Sequence, residues 1–323
     1  MSEYLLEARR ISKEFPAAGK KSVHAVSDVS LQIREGETLG LVGESGCGKS
    51  TLGRLMIRTL KPTSGEVWFR GKNITAMSDK EFLPNRKEMQ LIFQDPYASL
   101  DPRMTVRDLV AEPIETWHLC KGREAVTERV KELLRAVGMP EEFLYRYPHQ
   151  FSGGQRQRIG IARAMAADPA FIVCDEPVSA LDVSVQNQIL NLLKELKSSR
   201  KLTYLFISHD LSVVRYLADR VCVMFLGKIC EIGPTEEVYS HPRHPYTRFL
   251  LDAVPVPDPA HREKETRLLE GEPPSPADPP SGCRFRTRCP YATERCAREE
   301  PEPQDLDGVQ AACHYAGEPG LEK

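Results

Sequence analysis

The nine residues Gly43-Glu-Ser-Gly-Cys-Gly-Lys49-Ser50-Thr51 constrain this chain more than any other stretch of its sequence. They match G-x-x-x-x-G-K-[ST], follow the apolar run Thr38–Val42 (TLGLV) and open a helical stretch, which is the context in which that spacing has a mechanism. The glycines let backbone N–H groups curl around phosphate oxygens, and the start of the following helix adds a favourable field. Lys49 is placed to reach β and γ phosphates, and the Ser50 hydroxyl to bind Mg2+. The candidate nucleotide-binding segment is therefore Gly43, Glu44, Ser45, Gly46, Cys47, Gly48, Lys49, Ser50 and Thr51.

A loop of this kind needs a sheet behind it, and the surrounding sequence predicts one. Short continuous apolar runs at Thr38–Val42, Phe171–Cys174 and Leu205–Ile207 suit strands covered on both faces. VCVMF and ICEI around Gly227 predict a hairpin over Val221–Ile232. Between about residues 96 and 167 the pattern becomes helical. Val126, Val130, Leu133, Leu134 and Val137 recur at helical spacing over Arg123–Val137, which ends at Gly138 and Pro140, and a second helix is expected over Gly153–Ala167. Residues 4–252 read as one α/β domain with this helical subdomain inserted. Beyond them, 253–323 read as a Pro-rich linker, with eight prolines over Pro255–Gly282, leading into a Cys-rich tail.

Three further segments carry chemistry. Phe171-Ile-Val-Cys-Asp175-Glu176-Pro177 is an apolar strand ending in two carboxylates. Asp175 there can hold Mg2+, and Glu176 can orient or deprotonate an attacking water. Two adjacent acids alone would signify little; beside a phosphate loop they point to nucleotide hydrolysis. Phe151-Ser152-Gly153-Gly154-Gln155 opens the second predicted helix, whose N-terminus can face a γ-phosphate. The third segment is the tail, with Cys283, Cys289, Cys296 and Cys313 separated by five, six and sixteen residues.

Ser152–Gln155 resembles the LSGGQ signature of ABC ATPases, with Phe151 in place of Leu. In that family the signature contacts the nucleotide bound on the opposite subunit. The remaining family elements follow in order. Gln94 in LIFQDP resembles the Q-loop glutamine, which touches Mg2+ or water. Ser179-Ala180-Leu181-Asp182 resembles the D-loop, His209 in FISHDL the switch histidine, and Phe15 the aromatic that stacks on adenine. A core phenylalanine would look the same as Phe15 in sequence. The resemblance implies Glu176, His209 and Gln94 as catalytic residues, and Mg2+ held through Ser50, Gln94 and Asp175. It implies a fold with a RecA-like core, an antiparallel β subdomain, the inserted helices and a small Cys-rich extension.

GESGCGKST, FQDPYASLDPR, EPVSALDVSVQ, HPRHPYTRFLLDAVPVPDP and the tail GCRFRTRCPYATERC narrow this to the oligopeptide/dipeptide permease ATPases, over nearly the whole chain. FQDPYASLDPR resembles the F-type, second ATPase of the usual pair, with Asp101 where relatives often have Asn. The resemblance implies ATP hydrolysis driving peptide import. Its partners would be a second ABC ATPase subunit (a heterodimer, or a homodimer), two transmembrane permease subunits and, indirectly, an extracellular substrate-binding protein. Related importers carry nickel chelates, glutathione or oligosaccharides instead.

Composition agrees with this reading. A net charge of −2 gives no footprint for nucleic acid. No run approaches the roughly 18 apolar residues of a membrane span, and the N-terminus lacks a signal core. The expected location is thus the cytoplasmic face of the membrane, peripheral and held by partners. No coiled-coil insertion or second cassette suggests a DNA-repair or translation ATPase, and intact Lys49, Asp175, Glu176 and His209 argue against a dead nucleotide site. Of nine cysteines, Cys47, Cys120, Cys174, Cys222 and Cys230 read as small buried hydrophobes. In a reducing compartment the tail four are unsuited to disulfides. Four thiolates could hold zinc, although close C-x2–4-C pairs are missing, or a [4Fe–4S] cluster, for which a Cys-Pro step such as Cys289-Pro290 is familiar. The family resemblance favours the iron–sulfur cluster.

Overall fold

Short buried strands alternate with helices along most of the computed structural model, which describes residues 4–17, 22–254, 272 and 274–318. The first elements are β1 (Tyr4–Pro16), β2 (Ser22–Arg34), β3 (Thr38–Val42), α1 (Lys49–Met56), β4 (Ser64–Phe69) and β5 (Lys72–Asn73). Then come α2 (Asp79–Arg86), β6 (Met89–Ile92), α3 (Val106–Thr116), α4 (Arg123–Ala136), α5 (Gly153–Met165), β7 (Phe171–Asp175), α6 (Val183–Arg200) and β8 (Thr203–Ile207). The chain continues through α7 (Leu211–Leu217), β9 (Arg220–Phe225), β10 (Lys228–Pro234), α8 (Thr235–Ser240) and α9 (Pro245–Asp252). It closes with α10 (Glu294–Arg298), β11 (Gln304–Leu306) and β12 (Val309–Ala311).

Its contacts divide the chain into two units. One gathers Met1–Ile33, Thr38–Thr75 and Ser208–Lys323; the other gathers Arg34–Glu37 and Ala76–Ile207. The first unit therefore carries the phosphate loop and the Cys-rich tail, and the second carries the predicted helices and the Asp-Glu strand.

In the first unit, β2-β1-β4-β5 form one sheet, with β1 antiparallel to β4 (Leu6 opposite Phe69). A second sheet runs β11-β12-β10-β9-β3. Here β3 lies parallel to β9, while β9, β10 and β12 are antiparallel in turn. Thr38–Val42 is buried along its length, which is why it reads as an unbroken apolar run. The predicted hairpin is present, and its turn explains the glycine. Leu226 (φ 44°) and Gly227 (φ 81°) are both left-handed, as a two-residue turn matched to strand twist requires. The tail is not an appendage: β12 extends this sheet by pairing Ala311 with Glu231 of β10.

In the second unit β6, β7 and β8 are parallel, and β7 and β8 are buried at every residue. Helix α4 buries Val126, Val130, Leu133 and Leu134, the predicted stripe, and Val137 at its C-cap is buried too. Helix α5 stops at Met165, two residues short of the expected end. Helix α3, with Pro113 inside it, has no counterpart in the sequence reading. Of the predicted Pro-rich linker, 255–271 and 273 lie outside the described residues. Among the described residues no helix is long and apolar enough to cross a membrane.

Candidate nucleotide site

The phosphate loop is shaped by what surrounds its glycines. A Cβ on Gly48, at φ +107°, would stand 2.1 Å from the carbonyl oxygen of Ala25; one on Gly43 would stand 2.1 Å from that of Met224. Only glycine lets the loop pass so close to two strands. Gly48 is the N-cap of α1, so Lys49 and Ser50 are its first residues. Lys49 is 5% exposed, and its ammonium donates to the carbonyl oxygens of Gly43 (2.7 Å) and Glu44 (2.9 Å). A buried cation is thus kept within the loop, fully satisfied, where phosphate charge is expected.

Glu44 is held at three points. Its backbone N–H donates to the buried Tyr246 hydroxyl (2.9 Å), and its carbonyl accepts from Lys49. Its carboxylate accepts two bonds from Arg288 Nη1, at 3.0 and 2.8 Å. The sequence reading placed Glu44 in the loop but did not find Tyr246 or Arg288. Their partner lies about two hundred residues away, so nothing local signals the pairing.

His209 follows β8 and is exposed; Asp210 beside it caps α7, accepting from Ser212 N–H at 2.8 Å. Phe15 lies on β1 and is 36% exposed, with Lys13 over its ring at 5.3 Å. A core phenylalanine would be buried, and Phe15 is not.

In the second unit Asp175 ends β7 and is only 4% exposed. Glu176 follows with φ 45°, a left-handed conformation that costs a non-glycine residue about 1–2 kcal/mol and turns its side chain off the strand line. That turn is pinned by Glu176 N–H donating to Ile207 (3.1 Å) and by the Ser179 hydroxyl donating to Glu176 (3.1 Å). Gln94 Nε2 donates to Glu176 Oε2 at 2.8 Å, so two of the three predicted catalytic residues touch directly.

Ser152 is the N-cap of α5 and forms a capping box with Gln155: Gln155 N–H donates to Ser152 Oγ (3.3 Å), and Ser152 N–H to Gln155 Oε1 (3.1 Å). A Cβ on Gly154 would stand 2.3 Å from Val185 Cγ1, and one on Gly153 3.3 Å from Leu181 Cδ2. The glycines thus seat α5 against the D-loop and the start of α6. Asp182 caps α6, and its carboxyl is held below the usual range chiefly by the Ser184 hydroxyl.

The tail cysteines converge, but not as ligands. Cys283, Cys289, Cys296 and Cys313 all line one cavity of about 20 Å³. Among the described residues, however, no group of three or more His, Cys, Asp or Glu is arranged to hold a metal ion. The metal expected from the sequence is therefore not met by this arrangement. Burial pushes the Cys289 thiol up to about 12 and Cys313 to about 11, a shift that a bound cation would oppose. The cavity is also small, holding about one water molecule. Of the scattered cysteines, Cys47, Cys174, Cys222 and Cys230 are buried as expected, and Cys120 is only half-buried.

A phosphate loop ahead of a buried lysine, a strand ending in Asp-Glu and a Ser-Gly-Gly-Gln helix start define an ATP-binding cassette of the ABC type. The fold agrees: the ATP-binding cassette MJ0796, solved as a dimer bound to ADP and Pi, superposes with TM-score 0.65 at 30% identity, over 71% of this chain and 98% of that one. The ABC transporter family model matches residues 26–179, and the model for the oligopeptide/dipeptide transporter C-terminal region matches 230–296. The chain belongs to the oligopeptide-transport ATP-binding proteins. It is 54% identical to the putative oligopeptide transport ATP-binding protein YkfD of Bacillus subtilis, over 96% of this chain and 95% of that protein. It is also 54% identical to the oligopeptide transport ATP-binding protein OppF of Escherichia coli, over 87% of this chain and 84% of that one.

Proposed function

We propose that this chain is the ATP-hydrolysing subunit of an ABC importer for oligopeptides or dipeptides. The observation that carries this is the 54% identity to a putative oligopeptide transport ATP-binding protein across 96% of the chain, tail included. The importers for nickel chelates, glutathione or oligosaccharides are not favoured, since the relatives reported above are named for oligopeptide transport. The unit works at the membrane's cytoplasmic face, docked on two permease subunits. It pairs with a second ABC ATPase, a different chain or another copy, and an extracellular binding protein delivers cargo.

Within this reading the backbone of Gly43–Thr51 and Lys49 hold the phosphates, Phe15 stacks on adenine, and Ser50, Asp175 and Gln94 hold Mg2+. Glu176 is the general base, held in line by Gln94 until water and nucleotide take its place, and His209 contacts the γ-phosphate. Ser152, Gly153, Gly154 and Gln155 serve the partner's nucleotide, with Asp182 at the D-loop. Residues 96–167, which include α3, α4 and α5, form the helical subdomain that passes closure to the permease. Glu176→Gln should lower ATP turnover by about 10²–10⁴-fold while leaving ATP bound. Turnover near wild type in the assembled transporter would remove Glu176 from the role of base.

For the four tail cysteines, an iron–sulfur cluster, with zinc as the alternative, rests on the family resemblance and on their shared cavity. Iron, sulfide and zinc analysis of anaerobically purified protein decides it; protein without any of these rejects both.

A further inference from the structure

The Cys-rich stretch reaches the phosphate loop through a single side chain. Arg288 is 7% exposed at its side chain and Glu44 25%, and the two meet through the paired bonds described above. Arg288 Nε has no hydrogen-bond partner among the described residues, so Glu44 is the group the buried guanidinium is committed to. Arg288 is itself fixed in place. Its backbone N–H donates to Phe285 (3.0 Å), and the Phe285 ring packs 5.3 Å from both Phe225 and Tyr246. Arg284, on the same stretch, donates to Ser27 Oγ (2.9 Å) and to the Leu226 carbonyl, and the next residue, Gly227, donates to Cys47 of the phosphate loop (2.8 Å). A rigid tail segment thus grips both the loop and the turn that supports it.

Charge gives this contact a consequence. Glu44 carries a negative charge within the loop that is to receive a polyphosphate, and its carbonyl is one of two that position Lys49. An unpaired carboxylate there would repel the ligand and free the loop to turn. We propose that Arg288 is a positioning residue of the nucleotide site: by neutralising and orienting Glu44, it makes the C-terminal tail a determinant of ATP affinity. This rests on the reading of Gly43–Thr51 as the nucleotide loop.

The test is titration of the full-length chain with a fluorescent ATP analogue and Mg2+. Arg288→Gln should raise Kd about tenfold or more, the loss of a charge-assisted hydrogen-bond pair, and Arg288→Lys, which keeps the charge, should recover part of it. Glu44→Gln added to Arg288→Gln should restore most of the affinity, because the stranded negative charge is gone; a purely structural role would not give that rescue. Wild-type affinity in Arg288→Gln, or no rescue in the double variant, overturns the proposal, provided that Lys49→Ala has lost binding. Should Lys49→Ala bind like wild type, the nucleotide reading of the loop fails instead. A second measurement needs no variant: by linkage, MgATP should slow backbone hydrogen exchange over residues 283–289 of the wild-type chain. Unchanged exchange there, with nucleotide bound, also overturns the proposal.

Discussion

Two helices of this protein start on glycine-rich turns, α1 behind Gly43–Gly48 and α5 behind Ser152, and they are held in different ways. The first turn is fixed from outside its own segment. Backbone carbonyls of Ala25 and Met224 close on its glycines, Tyr246 and Arg288 hold Glu44, and Lys49 is buried. The second adds to the packing of Gly153 and Gly154 on Leu181 and Val185 a reciprocal Ser152–Gln155 cap of its own, and Ser152 remains exposed. A loop that must enclose a ligand is built by long-range contacts. The start of α5 relies instead on its own cap and on Leu181 and Val185, about thirty residues on.

That contrast can be broken by substitution. The largest effect is expected at Gly48→Ala, where a left-handed φ and a backbone oxygen 2.1 Å from the new Cβ leave no way to relax. A loss of about 3 kcal/mol of stability, with loss of ATP binding, should follow, measured by denaturant melts and nucleotide titration. Gly154→Ala meets a side chain instead, Val185 Cγ1, so its cost of about 1–3 kcal/mol should be relieved by adding Val185→Ala. A double variant no more stable than Gly154→Ala would mean that backbone, not Val185, sets the limit. The smallest effect is Ser152→Ala, which removes one half of a capping box and should cost about 1 kcal/mol in the same melts.

What the sequence made legible follows the same division. Strands β3, β7 and β8 could be read because burial on both faces leaves continuous apolar runs, and α4 because one face alone is buried. The Gly227 hairpin could be read because its turn demands glycine. The signature, the Asp-Glu pair and Gln94 were visible as motifs, and the structure adds that Gln94 and Glu176 touch. The tail reads in sequence as a Pro-rich linker and a Cys-rich extension, and the structure adds that β12 joins the sheet of β3 and that Arg288 reaches Glu44. Neither contact has a local signature, since the partners lie far apart in the chain, Ala311 from Glu231 and Arg288 from Glu44. The four cysteines likewise share a cavity without presenting a ligand set among the described residues.

The central claim is that one glycine-rich helix start binds this chain's own nucleotide and the other serves a partner's. It is tested most directly by comparing Lys49→Ala with Ser152→Arg, each as full-length chain and in the assembled transporter. Lys49→Ala should lose ATP affinity in the isolated chain. Ser152→Arg should keep that affinity, apart from a small loss of helix stability, and yet fail to support turnover in the assembly. If Ser152→Arg instead lost ATP in the isolated chain as completely as Lys49→Ala, the two turns would serve one nucleotide within a single chain, and the claim would be wrong.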